Sequence, residues 1–288
     1  MKFLLLGSEG QIGGELKKIL KKKKIKFFFF NKKQLNLINI KKIKQKIIDI
    51  KPDVIINAAA YTNVNLSSKK KQLALKINYN SVKEICKISK RIGSLFFHYS
   101  TDYVFDGKKK SYSENDEERP LNYYGKTKLL ADNYIRKNMK KYLIARVSWV
   151  YSEKPNNFVM KVIKQLVSKN KKVINVVDDE FGTPNSSKFI AKISIKLLQF
   201  ALKKKIFGLY NISNKGMVSR YDLAFFLKNK INIDNKILKK ISTNKNKIKR
   251  PKFSNLRVKK IEKLLKIKLP HWKNDLNNFF QKLNYANI

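Results

Sequence analysis

The 288-residue chain is short of the residues that cross-link and punctuate a fold. It holds one cysteine, Cys86, with ten glycines and six prolines. A single thiol excludes an internal disulfide and fits a reducing, cytoplasmic setting. No apolar run approaches the roughly 20 residues of a membrane span. The opening run, Met1 to Leu6, reads as a strand rather than as a leader peptide. Acidic residues are scarce too: 20 Asp and Glu stand against 66 Lys and Arg, for a net charge of +46. Only seven of those cations are arginine, at positions 91, 119, 136, 146, 220, 250 and 257. The lysines spread over the whole chain beside abundant isoleucine and asparagine, which share A/T-rich codons. That pattern reads as compositional drift, not as the clustered basic face of a nucleic-acid binder. No specific nucleic acid and no membrane is therefore expected as a partner.

Scarcity makes the remaining glycines informative, because four of the ten stand at 7, 10, 13 and 14. The first half alternates short apolar runs (Phe3–Leu6, Ile25–Phe30, Val54–Asn57, Ser94–Tyr99, Leu143–Val147) with amphipathic stretches near 11–22, 40–50, 70–91 and 122–138. Short apolar strands with long helical connections predict an α/β fold, a doubly wound parallel sheet covered on both faces. Beyond residue 150 the pattern loosens. Val173–Val177 and Leu209–Ile212 read as strands, and Ser186–Leu202 and Ser219–Lys228 as helices. Residues 230–250, rich in Lys, Asn and Ile, read as an exposed excursion. The expected organisation is a nucleotide-binding domain followed by a smaller lobe that closes over it.

The segment from Leu4 to Leu16 is a strand, a GxxGxxG turn and a helix. Glycine permits the tight turn and close backbone approach to a pyrophosphate, and the helix aims its N–H groups at the phosphates. Gly7, Gly10, Gln11, Ile12 and Gly13 are thus candidate contacts to a dinucleotide. The second strand ends at Asn31-Lys32-Lys33, where Asn31 is a further cofactor-binding candidate; the acidic residue that favours NAD is absent, so the lysines lean toward the 2′-phosphate of NADPH. Asn36 and Leu37 fall beside the expected adenine. Ala58, Ala59 and Ala60 close the third strand with side chains small enough for backbone to lie against a cofactor.

Ser100-Thr101-Asp102-Tyr103 follows the fourth strand, where side chains face the ligand crevice. Twenty-three residues after Thr101 comes Tyr124, with Lys128 one helical turn on. An ammonium near a phenol lowers its pKa from about 10, and a hydroxyl such as that of Thr101 can hold a carbonyl under reduction. The rival pair, Tyr123 and Lys126, loses on the helical wheel: Tyr124, Lys128, Ala131 and Ile135 fall within about 60° of one another. Lys126 shares the opposite side with Asn133 and Lys137 and reads as solvated.

These motifs resemble the dTDP-4-dehydrorhamnose reductases, sugar-nucleotide reductases of the extended short-chain dehydrogenase/reductase superfamily. The resemblance runs over nearly the whole chain. It rests on GxxGQIG (7–13), PDVIINAAAYT (52–62), HYSTDYVFDG (98–107), PLNYYGKTKL (120–129), RVSWVY (146–151), VVDDEFGTP (176–184), GLYNIS (208–213), RPKFSNL (250–256) and LPHW (269–272). It implies a Rossmann-type domain over 1–150 and a smaller C-terminal α/β substrate lobe over 151–288. Segments near 172–177 and 207–213 are candidates to return to the main sheet. The implied reaction is hydride transfer from NADPH or NADH to the C4 ketone of dTDP-4-dehydro-L-rhamnose. Alternatives are a reductase or epimerase of another nucleotide sugar and a non-catalytic regulatory subunit. In the implied roles Thr101 orients the ketone, and Tyr124 donates the proton. Lys128 holds the nicotinamide ribose and tunes Tyr124. Asp102, Tyr103 and Trp149 meet the sugar, and Arg250 meets the diphosphate. Magnesium accompanies some relatives, but no metal-ligand cluster stands out in the sequence, and a homodimer stays open. The chain departs from the family pattern at Asn65 to Ser68, at Glu180 (glutamine is usual), at Asn185, and at Phe253 and Arg257.

Overall fold

A computed structural model describes residues 1–22, 26–170, 172–243, 248–281 and 283. β1 (Lys2–Leu6), α1 (Gln11–Lys21), β2 (Lys26–Phe30), α2 (Ile40–Ile50) and β3 (Val54–Asn57) open the chain. Next come α3 (Val64–Lys69), α4 (Lys71–Leu75), a π-helical turn (Lys76–Asn80), α5 (Ser81–Arg91), β4 (Leu95–Thr101), α6 (Tyr123–Asn138) and β5 (Tyr142–Val147). The remainder holds β6 (Val150–Tyr151), α7 (Phe158–Val167), β7 (Val173–Val177), β8 (Phe181–Gly182), β9 (Asn185–Ser186) and α8 (Ser187–Lys204). It ends with β10 (Gly208–Asn211), β11 (Val218–Ser219), α9 (Arg220–Lys230), β12 (Ile237–Ile241), α10 (Lys259–Leu265) and α11 (Trp272–Phe280).

Six strands form one parallel sheet in the order β10-β5-β4-β3-β1-β2. Strand alternation sorts its side chains into two layers. Phe3 and Leu5 pack with Leu16 of α1 and Ile190 of α8, while Leu4 and Leu6 pack with Ile43 of α2 and Ile85 of α5. The fold is the Rossmann-like α/β arrangement that the apolar runs imply. Cys86 is a free thiol buried in the second layer, and its pKa is pushed up to about 12 by burial. No helix among the described residues is long and apolar enough to cross a membrane.

Three expectations change. Val173–Val177 does not return to the main sheet but pairs in parallel with β12. Only Ile174 and Val176 of β7 are buried, so it has one apolar face, whereas a central parallel strand needs two. By contrast, Gly208–Asn211 extends the main sheet beside β5. The excursion at 230–250 contains an ordered but exposed strand, β12, while residues 244–247 of it lie outside the described part, as does Ile25. The single helix expected over 70–91 is instead α4, the π-helical turn and α5. In that turn Asn78 is buried and points inward. Its Oδ1 accepts from Tyr61 N at 2.8 Å, and its Nδ2 donates to Tyr61 O at 3.1 Å and to Thr127 Oγ1 at 3.0 Å.

Candidate active site

The strand order places β2 on one side of β1 and β3 on the other, and ligands of open parallel sheets bind at such a switch point. The loop after β1 lies against the loop after β3. Gly7 has φ +80°, and a Cβ on it would stand 2.8 Å from Ala59 N. Gly7 N and Ser8 N donate to Phe30 O at 2.9 and 3.1 Å, fixing the turn. Gly10 caps α1 without a side-chain hydrogen bond, so first-turn N–H groups are left to a ligand. A glycine cradle closed by alanines and an uncapped helix start suits a nicotinamide dinucleotide.

A cavity of about 1000 Å³ runs from this cradle across the ends of β4 and β5 to α7, β7 and α9. Gly7, Gly10, Gln11, Ile12, Asn36, Leu37 and Ala58 to Ala60 line its first half, with Lys32 at the edge. Thr101, Asp102, Tyr103, Tyr124, Lys128, Trp149 and Arg250 line the rest. Two expected cofactor residues are not in the wall. Asn31 is occupied by the turn itself, because its Nδ2 donates to Glu9 Oε1 at 2.6 Å and its Oδ1 accepts from Gln34 N at 2.9 Å. Gly13 is buried in α1 beneath the Gly7 carbonyl.

α6 carries the reactive pair. Asn122 caps it, accepting from Gly125 N at 3.0 Å and donating through Nδ2 to Lys249 O at 3.1 Å. Gly125 lets the helix press on the backbone of Tyr103, where a Cβ would fall 2.1 Å from the carbonyl oxygen. Lys126 is exposed and Lys128 buried, as the helical wheel requires. Tyr103 and Tyr124 meet edge to face at 5.8 Å between centroids. Burial pushes the Tyr124 phenol above its usual range, and the Thr101 hydroxyl pulls the other way.

The lysine is placed differently from the expectation that it lowers the tyrosine pKa. Lys128 Nζ donates to Tyr99 O at 2.6 Å and lies 2.8 Å from His98 Nε2. His98 Nδ1 lies 3.2 Å from Asn57 Nδ2, while Asn57 Oδ1 accepts from Ala59 N at 3.1 Å. The His98 tautomer sets which partner donates in each of these two imidazole contacts. Burial, against the pull of Asp132, lowers Lys128 to about 8. Burial and Lys128 together hold His98 well below the usual imidazole range. Behind the pair, Ser100 Oγ donates to Asp132 Oδ2 at 2.6 Å, and Arg146 contacts Glu118 at 2.5 Å and Asp132 at 3.6 Å.

At the substrate end, Thr101 Oγ1 donates to Asp102 Oδ1 at 3.1 Å and accepts from Tyr103 N at 3.2 Å. Burial pushes the Asp102 carboxyl up to about 6, against hydrogen bonds from Ser254 and Thr101. Trp149 has φ +40°, a strained conformation for a bulky residue. Arg250 is half-exposed, and its Nη2 donates to Asn65 Oδ1 at 3.3 Å. Its Nη1 lies 4.0 Å from Glu180 Oε2, so the acidic departure from the family glutamine faces a cation. Sequence reasoning missed Glu9, Asn78, His98, Phe158 and Arg220. His98 and Glu9 lay inside the quoted motifs; the others carry no local signal. Among the described residues no group of three or more His, Cys, Asp or Glu is placed to hold a metal ion.

The chain matches the RmlD substrate binding domain family over residues 1–285. It is 33% identical over 288 residues to the spore coat polysaccharide biosynthesis protein SpsK of Bacillus subtilis, covering 99% of each chain. It is 35% identical over 229 residues to the dTDP-4-dehydrorhamnose reductase of Salmonella typhimurium, covering 78% of this chain and 76% of that protein. The crystal structure of the Bacillus anthracis dTDP-4-dehydrorhamnose reductase in complex with NADP superposes with a TM-score of 0.91 at 29% identity, covering 98% of this chain and 99% of that one. With these likenesses and the glycine cradle joined to Thr101, Tyr124 and Lys128, the chain belongs to the RmlD family of dTDP-4-dehydrorhamnose reductases and is an NAD(P)H-dependent oxidoreductase.

Proposed function

We propose that the protein reduces the C4 ketone of dTDP-4-dehydro-L-rhamnose to dTDP-L-rhamnose with NADPH, in the cytoplasm, for surface polysaccharide synthesis. The observation that carries this reading is the placement of Thr101, Tyr124 and Lys128 in the same cavity wall system as the Gly7 cradle. When bound, the reduced nicotinamide supplies the hydride. Gly7, Gly10, Gln11 and Ile12 would hold its pyrophosphate, and Asn36, Leu37 and Ala58 to Ala60 its adenosine side. The Lys32 ammonium suits a 2′-phosphate.

The chain's own residues handle the proton. Hydride addition leaves negative charge on the ketone oxygen, which needs a donor that still holds its proton at neutral pH. Burial keeps the Tyr124 phenol protonated, and the Thr101 hydroxyl sits at its side to hold the oxygen. Lys128, anchored on Tyr99 O, holds the nicotinamide ribose. Trp149, Tyr103 and Asp102 bound the sugar, and Arg250 faces the diphosphate.

A panel of dTDP-, UDP- and GDP-4-ketosugars, followed by loss of the reduced nicotinamide absorbance, tests the substrate. Turnover is expected to be fastest on dTDP-4-dehydro-L-rhamnose; a preference for a UDP or GDP sugar would overturn the assignment. Lys32→Ala is expected to raise KM for NADPH about 10-fold, the loss of one charge-assisted contact, and to leave KM for NADH unchanged. Equal effects on both cofactors would remove Lys32 from 2′-phosphate recognition.

A further inference from the structure

Arg220 is the first residue of α9 and lies in the cavity wall with Glu180, Arg250, Trp149 and Phe158. Its guanidinium carbon stands 3.6 Å from the Trp149 ring centroid and 4.7 Å from that of Phe158. Its Nε is 3.5 Å from Glu180 Oε2, and its backbone N donates to Glu180 O at 3.1 Å. Two aromatic rings and a carboxylate therefore fix the plane and the Nε end of the side chain. Its two Nη nitrogens make no hydrogen bond to another described residue, and the residue lines the cavity, which leaves those donors to a ligand.

Charge and composition agree with that geometry. Glu180 is the shared carboxylate of Arg220 and Arg250, with the latter 4.0 Å away, so one carboxylate is divided between two guanidinium groups. In a chain that writes its cations mostly as lysine, two of seven arginines meet here. A planar fork pairs with phosphate oxygens two at a time, which a lysine cannot do. Trp149 is committed to this arrangement. Its other surface packs on Gly182, where a Cβ would fall 2.4 Å from Trp149 Cε2. With one ring face under Arg220 and the indole edge on Gly182, Trp149 is a platform for the arginine as well as a part of the cavity wall.

We infer that Arg220, stacked on Trp149 and Phe158 and steered by Glu180, is the second half of a guanidinium clamp with Arg250 that binds the diphosphate of the nucleotide sugar. The inference rests on the nucleotide-sugar reading above and adds the residue that grips the anionic bridge.

Calorimetric titration of the NADP-loaded protein with dTDP and with thymidine tests it. Arg220→Gln is expected to weaken dTDP about 10- to 100-fold, the loss of charge-assisted hydrogen bonding, and to leave thymidine unchanged. Arg220→Lys should recover part of the loss, because it restores charge without the fork. Unchanged affinity for NADP serves as the control for folding. Wild-type dTDP affinity in Arg220→Gln, or an equal loss for thymidine, overturns the clamp while the nucleotide-sugar reading stands. A wild-type protein that binds dTDP no better than thymidine overturns that reading and the clamp with it.

Discussion

At the residue scale the site is a set of side chains held away from their solution behaviour. Asp102 is the clearest case. Burial raises its carboxyl from 3.8 to about 6, so its contribution to stability is complete below the unfolded pKa and is lost as pH rises through the folded one. Asp102→Asn removes that dependence. In the ligand-free protein the variant should match the wild type near pH 3.5 and exceed it near pH 7 by up to about 3 kcal/mol. Urea unfolding across that range checks it, and a wild type more stable than the variant at pH 7 would mean the carboxylate is compensated. Tyr124, Lys128 and Thr101 were legible because the chemistry needs those types at fixed spacing. The neighbours of Lys128 were not, because His98 and Tyr99 stand 30 and 29 positions away. Arg220 looked like one cation among 66 until the fold set it on Trp149. Asn31 illustrates the opposite case: it stands after β2 as expected, and its amide bonds to Glu9 and to its own turn.

At the element scale α6 is the part that must not move. Its seat against Tyr103 depends on Gly125. Gly125→Ala would ordinarily strengthen a helix by roughly 1 kcal/mol. Here the added methyl meets a backbone carbonyl, so helix and substrate wall must part. The expected result is a loss of at least about 10-fold in kcat, since displacement of the proton donor by even 1 Å is costly, together with a lower Tm. A variant with wild-type kcat and higher Tm would show that α6 tolerates the shift. Asn78 is a second fastening of the same helix, through Thr127, at a π-helical turn of the kind often found near functional sites. Periodicity predicted one long helix there because the apolar face persists through the turn; only the inward Asn78 marks the interruption. β7 misled for a related reason, since an apolar run read alone does not say how many of its faces are covered.

At the scale of the whole molecule, the main sheet was readable from five continuous apolar runs, whereas the cavity's far wall was not. That wall is assembled from α7, β7 and α9, segments whose pairing is set by tertiary packing. The net charge of +46 belongs to this scale as well. Self-repulsion among lysines destabilises the compact chain and is screened by salt. Tm should therefore rise as sodium chloride goes from about 10 to about 200 mM, over which the Debye length falls from roughly 30 to below 10 Å. Tm falling with salt would mean that attractive ion pairs dominate instead.

The central claim is that Tyr124 delivers the proton to the substrate oxygen. Its most direct test is the turnover of Tyr124→Phe with dTDP-4-dehydro-L-rhamnose and NADPH across pH, beside its affinity for NADPH. The account predicts a fall in kcat of about 10²- to 10⁴-fold, the usual value of a positioned general acid, with NADPH binding unchanged. Wild-type kcat across the pH range would contradict it.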